Sequence, residues 1–97
     1  MKTDYCLGIC PKCYGQGLIR PVKDDDKIIF VCDEEYNTFQ NFQDISLRKT
    51  RYETILRDDY MELEDFLKEM PEMADHIYIY ENGIWHNLKD KNKKLFQ

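Results

Sequence analysis

Short apolar runs and regularly spaced apolar residues predict the main elements of this chain. Residues 18–22 and 27–31 are largely apolar and flank three consecutive aspartates at 24–26. Two such runs around a polar turn predict a β-hairpin with the aspartates at its tip. Pro21 cannot donate a hydrogen bond to a neighbouring strand, which favours an edge position for the first strand.

The clearest helical pattern lies toward the middle of the chain. Four apolar residues recur there at spacings of three and four and form one stripe: Leu63, Phe66, Leu67 and Met70. Asp59 followed by Glu62 resembles a capping box, and Pro71 stops a helix. We therefore predict one amphipathic helix over residues 59–70, with its apolar stripe in the core.

A second hairpin is predicted at residues 76–88. An Asn-Gly pair at 82–83 separates two alternating segments, and both residues tolerate the positive φ angles of a two-residue turn. With that turn, Tyr80 lies opposite Trp85, and Tyr78 shares their face. The other face carries apolar residues that we expect to face the helix: Ile77, Ile79 and Leu88.

Two further segments complete the organisation of the chain. Residues 50–56 contain β-branched and aromatic residues and are interpreted as a short strand. Residues 89–97 contain four lysines and one aspartate and are expected to form a mobile basic tail. Together the elements predict one α+β domain of 97 residues with an antiparallel sheet, in which residues 1–38 form a subregion.

Cysteines supply the candidate chemistry. Cys10 and Cys13 form a Cys-x-x-Cys hook before the first hairpin strand, and Cys32 follows the second strand. Because a hairpin returns the chain, these cysteines should meet at its open end, and thiolates are ligands that structural zinc prefers. A second complete hook would have another cysteine where this chain has Glu35.

This part of the chain resembles the zinc-ribbon family of small bacterial proteins. The resemblance covers residues 6–38 and rests on Cys-Pro-Lys-Cys-Tyr-Gly-Gln-Gly at 10–17 and Phe-Val-Cys-Asp-Glu at 30–34. It implies a structural zinc ion bound by the three cysteines named above. Three alternatives remain: Cys6 is the fourth ligand, Glu35 is the fourth ligand, or the site is empty and its cysteines are small buried apolar residues.

Charge narrows the class of partner. The net charge is −5, and because the tail contributes +3, residues 1–88 carry −8. Residues 24–75 contain 16 acidic and 6 basic residues. Binding to nucleic acid needs basic residues that replace counterions, so this balance argues against it. A basic protein surface is the favoured partner.

Catalytic and membrane-targeting patterns are missing from the sequence. His76 and His86 are the only histidines, and the predicted hairpin places them on opposite faces. There is no serine elbow, phosphate-binding loop or paired-carboxylate motif. No apolar run approaches the roughly 20 residues of a membrane helix, and the first six residues lack the apolar core of a signal peptide. We expect a non-catalytic cytoplasmic protein.

In overall character the chain resembles the immunity proteins of contact-dependent growth inhibition and related bacterial toxin systems. The resemblance implies that it binds a basic nuclease toxin and occludes the active site. The expected contact residues are Asp24, Asp25, Asp26, Asp58, Asp59, Glu62, Asp65, Tyr78, Tyr80 and Trp85. The alternatives are a zinc ribbon that binds nucleic acid or the transcription or translation machinery, and a small metal-dependent enzyme.

Overall fold

Two three-stranded antiparallel sheets and a few short helices form the fold in a computed structural model, which describes residues 3–13, 17–50 and 59–96. The strands are β1 (Tyr5–Cys6), β2 (Ile19–Asp24), β3 (Lys27–Cys32), β4 (Thr38–Phe39), β5 (Tyr78–Glu81) and β6 (Ile84–Asn87). The helices are α1 (Phe42–Ser46), α2 (Leu63–Glu69) and a 3₁₀ helix at Pro71–His76. The predicted α+β class with antiparallel strands is confirmed.

The first sheet contains β2, β3 and β4 in that order. β2 and β3 are the predicted hairpin, and their register places Ile19 opposite Cys32 at the open end. Asp25 has a φ of 55° in the turn, a conformation that aspartate adopts more readily than most residues. Pro21 lies in β2, which is an edge strand of this sheet, as predicted.

The second sheet has β5 in the middle, between β1 and β6. β5 and β6 form the predicted hairpin, in which Tyr80 pairs with Trp85. Asn82 and Gly83 have φ angles of 53° and 80°, as a two-residue turn requires. The backbone N–H of Leu95 donates to the Trp85 carbonyl at 3.0 Å, so the tail runs beside β6. The mobility of that tail stays a prediction.

The strands form two sheets rather than one, and the segment after β1 connects them. β1 pairs with β5, and the chain then bends at Gly8, whose φ is 121°. The N–H of Leu7 donates to the Ile19 carbonyl at 2.8 Å, and the N–H of Ile19 donates to the Gly8 carbonyl at 2.9 Å. One short segment therefore contacts both sheets within four residues.

α2 begins at Leu63, four residues later than predicted from the sequence. Tyr60 forms an antiparallel bridge with Val22 of β2, which keeps this part of the chain extended. Glu62 is consequently the N-cap residue. The start predicted at Asp59 was wrong because pairing with the edge of β2 takes precedence over local helix signals.

The larger of two buried apolar clusters lies between the two sheets and α2. Phe66 is fully buried, and its ring centroid lies 6.3 Å from that of Tyr5 and 6.4 Å from that of Phe30. The other apolar residues of α2 and of the second hairpin pack in the same cluster: Leu63, Leu67, Met70, Ile77, Ile79 and Leu88. The apolar stripe therefore faces the core as predicted.

The short strand predicted at residues 50–56 lies, apart from residue 50, outside the described residues. In the described ranges, no helix combines the length and apolar character that crossing a membrane requires.

Candidate metal centre

Three buried thiols meet at the open end of the β2–β3 hairpin. The Sγ atoms of Cys10, Cys13 and Cys32 all lie within 4.8 Å of one another. Those of Cys13 and Cys32 are 2.8 Å apart, and each of the three residues is at most 3% exposed. Three sulfur atoms grouped within this range can bind one metal ion, whose bonds to sulfur are about 2.3 Å long, once the two sulfurs of Cys13 and Cys32 move apart.

Backbone hydrogen bonds shape the first hook, and pairing of β2 with β3 brings it to Cys32. The N–H of Cys10 donates to the Gly17 carbonyl at 2.8 Å, and the N–H of Cys13 donates to the Cys10 carbonyl at 3.4 Å. Cys32 is the last residue of β3, beside the strand that follows the hook. The predicted meeting of these cysteines is confirmed, because strand pairing fixes both ends of the hairpin.

N–H groups surround the sulfur atoms. The backbone N–H of Glu34 donates to Cys32 Sγ at 3.4 Å, and the backbone N–H of Glu35 donates to the same sulfur. The side-chain nitrogen of Asn37 lies 3.2 and 3.7 Å from the two sulfurs of the first hook. Such donors favour the ionised form of a thiol, which is the form that binds metal.

Gly17 lies so close to these sulfurs that a side chain has no space. A Cβ atom at this position would be 2.2 Å from Cys32 Sγ and 3.2 Å from Cys13 Sγ. A separation of 2.2 Å is far inside the contact distance of carbon and sulfur, so a substitution must displace the thiol or the backbone. The requirement for glycine here is close approach of the backbone, rather than an unusual φ angle.

Burial raises the pKa of two of the three thiols. It raises the pKa of Cys13, and the neighbouring thiols of Cys32 and Cys10 raise it further. Burial also raises the pKa of Cys32, against the opposing effect of its hydrogen-bond donors. Without a cation, burial therefore favours the neutral form of Cys13 and Cys32 by raising the pKa of each thiol. A metal ion would displace the protons and compensate the negative charge of the thiolates.

Neither candidate for the fourth ligand, Cys6 or Glu35, places a ligand atom in the group that Cys10, Cys13 and Cys32 form. Cys6 is fully buried, but its pairing with β5 holds it in the other sheet. Burial raises the pKa of the Cys6 thiol to about 11, although a backbone N–H from Gly8 opposes the rise. Glu35 is exposed, with its backbone in the second hook. The structure therefore groups Cys10, Cys13 and Cys32, and it brings neither candidate for the fourth ligand to them.

The acidic residues predicted as partner contacts fall in two places. One is a groove of about 480 Å³ beside α2, lined by Asp59, Glu62 and Asp65 together with Lys23, Tyr60, Met61, Lys68 and Glu69. The other is a smaller hollow of about 270 Å³ at the β2–β3 turn, lined by Asp24, Asp25 and Asp26 with Lys27, Ile29 and Gln40. Asp58 lies outside the described residues.

The predicted aromatic contacts lie together on the second hairpin. The ring centroids of Tyr80 and Trp85 are 5.2 Å apart, and Tyr80 is 46% exposed. Tyr78, on the same face, is half-buried. The guanidinium of Arg20 lies 5.9 Å from the Trp85 ring and 5.8 Å from the ring of Tyr60, which also lines the acidic groove. The aromatic face and the groove are therefore neighbours.

Arg20 is a residue whose role the sequence pattern does not reveal. Its Nη1 donates to Asp4 Oδ1 at 2.6 Å and to the Tyr5 carbonyl at 3.1 Å, and its Nε donates to Asp33 Oδ2 at 3.0 Å. Burial acts to lower the pKa of Arg20, but the two carboxylates produce a net rise. A lone arginine in a strand gives no signal that it joins both sheets.

Comparison with protein-family models, with curated proteins and with solved structures gave no match to this chain.

Proposed function

We propose that this chain is a small acidic protein-binding module without catalytic activity, in which Cys10, Cys13 and Cys32 hold a structural zinc ion. Three thiol ligands favour zinc over calcium or magnesium, because those two ions take oxygen ligands. The ion would link the first hook to the end of β3. Such a link stabilises the fold of a chain of 97 residues, whose core is necessarily small.

The observation that carries the protein-binding proposal is the charge of the groove beside α2. Among the described residues, four carboxylates and two lysines line it, and one of those lysines, Lys23, is paired with Glu69. A concave surface with excess negative charge attracts a cationic partner and accelerates association. The neighbouring aromatic face, with Tyr80 and Trp85, offers contacts that would slow dissociation once buried.

A basic nuclease is the partner class that we propose for this surface. Its active site binds the phosphates of nucleic acid and is therefore cationic, so an acidic groove with aromatic neighbours is complementary to it. The charge of −8 over residues 1–88 would steer the two proteins together. In this proposal the chain acts as an immunity protein that blocks access of nucleic acid to a toxin.

Two charge-reversal variants test the proposal. Asp59→Lys with Asp65→Lys inverts the groove, whereas Glu72→Lys with Asp75→Lys makes the same change of charge on the 3₁₀ helix, outside the groove. Partners would be captured from the source cell on the immobilised chain, and the captured protein would be produced separately. We expect the captured partner to be a basic nuclease. Adding one molar equivalent of the wild-type chain should stop its cleavage of nucleic acid.

The association rate of each variant with the captured nuclease shows whether the groove is the contact surface. We expect the groove variant to lower the association rate constant by about tenfold or more at low salt, and the 3₁₀-helix variant to lower it much less. Equal effects of the two variants would contradict the groove as the contact surface. Absence of nuclease activity in every captured partner would contradict the immunity function.

The zinc-ribbon alternative makes the opposite prediction for nucleic acid. A ribbon that binds nucleic acid should bind heparin or RNA with an affinity that falls steeply as salt increases. The acidic body leads us to expect no such binding at physiological salt. Salt-dependent binding to either polymer would replace the present proposal with the alternative.

A further inference from the structure

The side chain of Asn37 lies against the first hook of the metal centre. Its Nδ2 atom is 3.2 Å from Cys13 Sγ and 3.7 Å from Cys10 Sγ. An amide nitrogen carries two N–H donors, so one side chain can serve two sulfurs. We propose that Asn37 is a positioning residue, which orients these two sulfurs toward a bound metal ion through N–H···S hydrogen bonds. This inference rests on the proposed zinc site.

The backbone around Asn37 fixes the position of its side chain. The Asn37 carbonyl accepts a hydrogen bond from the N–H of Cys32 at 2.9 Å, and the N–H of Tyr36 donates to the Cys32 carbonyl at 3.0 Å. Tyr36 has a φ of 60°, which turns the chain back toward the hairpin. β4 then begins at Thr38 and pairs with β3. Asn37 is thus held between the second hook and a paired strand.

The donors to the three sulfurs come from different parts of the chain. Cys32 receives backbone N–H groups from its own hook, from Glu34 and Glu35. The two sulfurs of the first hook instead receive the Asn37 amide, which is 24 and 27 residues away in sequence. Hydrogen bonds to an ionised acceptor are stronger than neutral ones, so the amide contributes most when the thiols are ionised by a metal.

A different role for Asn37 would use its amide oxygen as a metal ligand. The two roles respond in opposite ways to Asn37→Asp, which replaces the NH₂ group by oxygen at nearly constant shape. As a donor, the residue would lose both N–H groups and place a negative charge beside two thiolates. As a ligand, it would gain a carboxylate, which binds zinc better than an amide oxygen does.

Cobalt and zinc titrations of the full chain test the inference. Zinc affinity would be measured by competition with a chromophoric chelator, and Co²⁺ binding by the sulfur-to-cobalt charge-transfer band. We expect Asn37→Asp and Asn37→Ala to weaken binding of both metals by about 10-fold to 100-fold, as is usual for groups that hydrogen-bond to metal ligands. The band should shift to longer wavelength, because sulfur donates charge more readily without the hydrogen bonds.

Asn41→Asp is the matched control. It makes the same change of charge at the N-cap of α1, where the side chain accepts a hydrogen bond from Asp44 N–H through an oxygen that aspartate retains. We expect its metal affinity to equal that of the wild type. Asn37→Gln keeps both donors on a longer side chain, so it should retain more affinity than Asn37→Asp. Circular dichroism of each metal-free variant separates loss of folding from loss of binding.

Two results would overturn the inference. Metal affinity of Asn37→Asp that equals or exceeds the wild-type affinity would exclude the donor role. Failure of the wild-type chain to bind either Co²⁺ or Zn²⁺ would exclude the proposed zinc site itself, and this inference with it. The wild-type titration therefore identifies which of the two proposals has failed.

Discussion

Gly17 gives the sharpest prediction at the scale of single residues. In Gly17→Ala the added methyl group would lie 2.2 Å from Cys32 Sγ, so the thiol or the backbone must move. Overpacking of this kind costs roughly 1–3 kcal/mol. We expect the zinc-loaded variant to lose about that much free energy of unfolding in urea, and its zinc affinity to fall in a chelator competition.

Gly83→Ala is the control for this substitution. Gly83 has a φ of 80°, and a Cβ atom there would contact nothing within 4 Å. An alanine in this left-handed conformation costs about 1–2 kcal/mol, but it should leave zinc affinity unchanged. A Gly17→Ala chain that binds zinc as tightly as the wild type would contradict the close approach described at the sulfurs.

Some residues near the sulfurs could be predicted from the sequence, and others could not. The spacing of Cys10 and Cys13, and the position of Cys32 after a strand, were sufficient to predict that their thiols meet. The contribution of Asn37 was not predictable, because it depends on how a turn redirects the chain after the second hook. Cys6 was predicted as a ligand on the chemistry of its side chain, but strand pairing with β5 keeps it outside the group.

At the scale of elements, the second hook keeps its shape although a cysteine is missing from it. The backbone N–H groups of Glu34 and Glu35 donate to Cys32 Sγ, and Tyr36 turns the chain with a φ of 60°. Glu35→Cys would therefore add a thiolate where the hook presents its last ligand. We expect zinc affinity to rise at least about tenfold, because thiolate is a better zinc ligand than a carboxylate or water.

Glu35→Gln is the companion variant for the hook. It removes the negative charge and keeps the length of the side chain, so it reports whether the carboxylate itself takes part in binding. Both affinities would come from the same chelator competition. A Glu35→Cys chain with no gain in affinity would contradict the shape that we assign to the hook.

Arg20 connects the two sheets, so its loss should act on the fold as a whole. Its side chain is 19% exposed and bonds two carboxylates, whereas the ion pair of Lys23 with Glu69 is 40–42% exposed. We expect Arg20→Gln to lower the free energy of unfolding by roughly 1–3 kcal/mol. Lys23→Gln should cost less than about 1 kcal/mol, because exposed ion pairs contribute little.

Urea unfolding of both variants checks this comparison. A loss for Arg20→Gln as small as that for Lys23→Gln would mean that the contacts between the sheets contribute little to stability.

Local sequence signals predicted one element correctly and misplaced the start of another. The Asn-Gly turn fixed the second hairpin register correctly, with Tyr80 opposite Trp85, because that turn geometry is local. The start of α2 was missed, because pairing of Tyr60 with β2 is a long-range contact.

At the scale of the whole molecule, the proposed metal centre and the acidic groove have no residue in common. The sulfurs lie at the open end of the β2–β3 hairpin, whereas the groove lies beside α2. This separation is consistent with a structural role for the metal and with recognition at another surface. Composition predicted an acidic surface, and the hairpin pattern predicted its acidic tip, but the groove beside α2 depends on how the chain folds.

The proposal that Cys10, Cys13 and Cys32 hold one structural metal ion makes a direct prediction about binding stoichiometry. Native mass spectrometry of the purified chain measures this most directly, with Cys32→Ser and Cys6→Ser chains alongside. We predict one bound zinc ion in the wild type and in Cys6→Ser, and none in Cys32→Ser. A metal-free wild-type chain, or a Cys6→Ser chain that alone loses its zinc, would contradict this set of ligands.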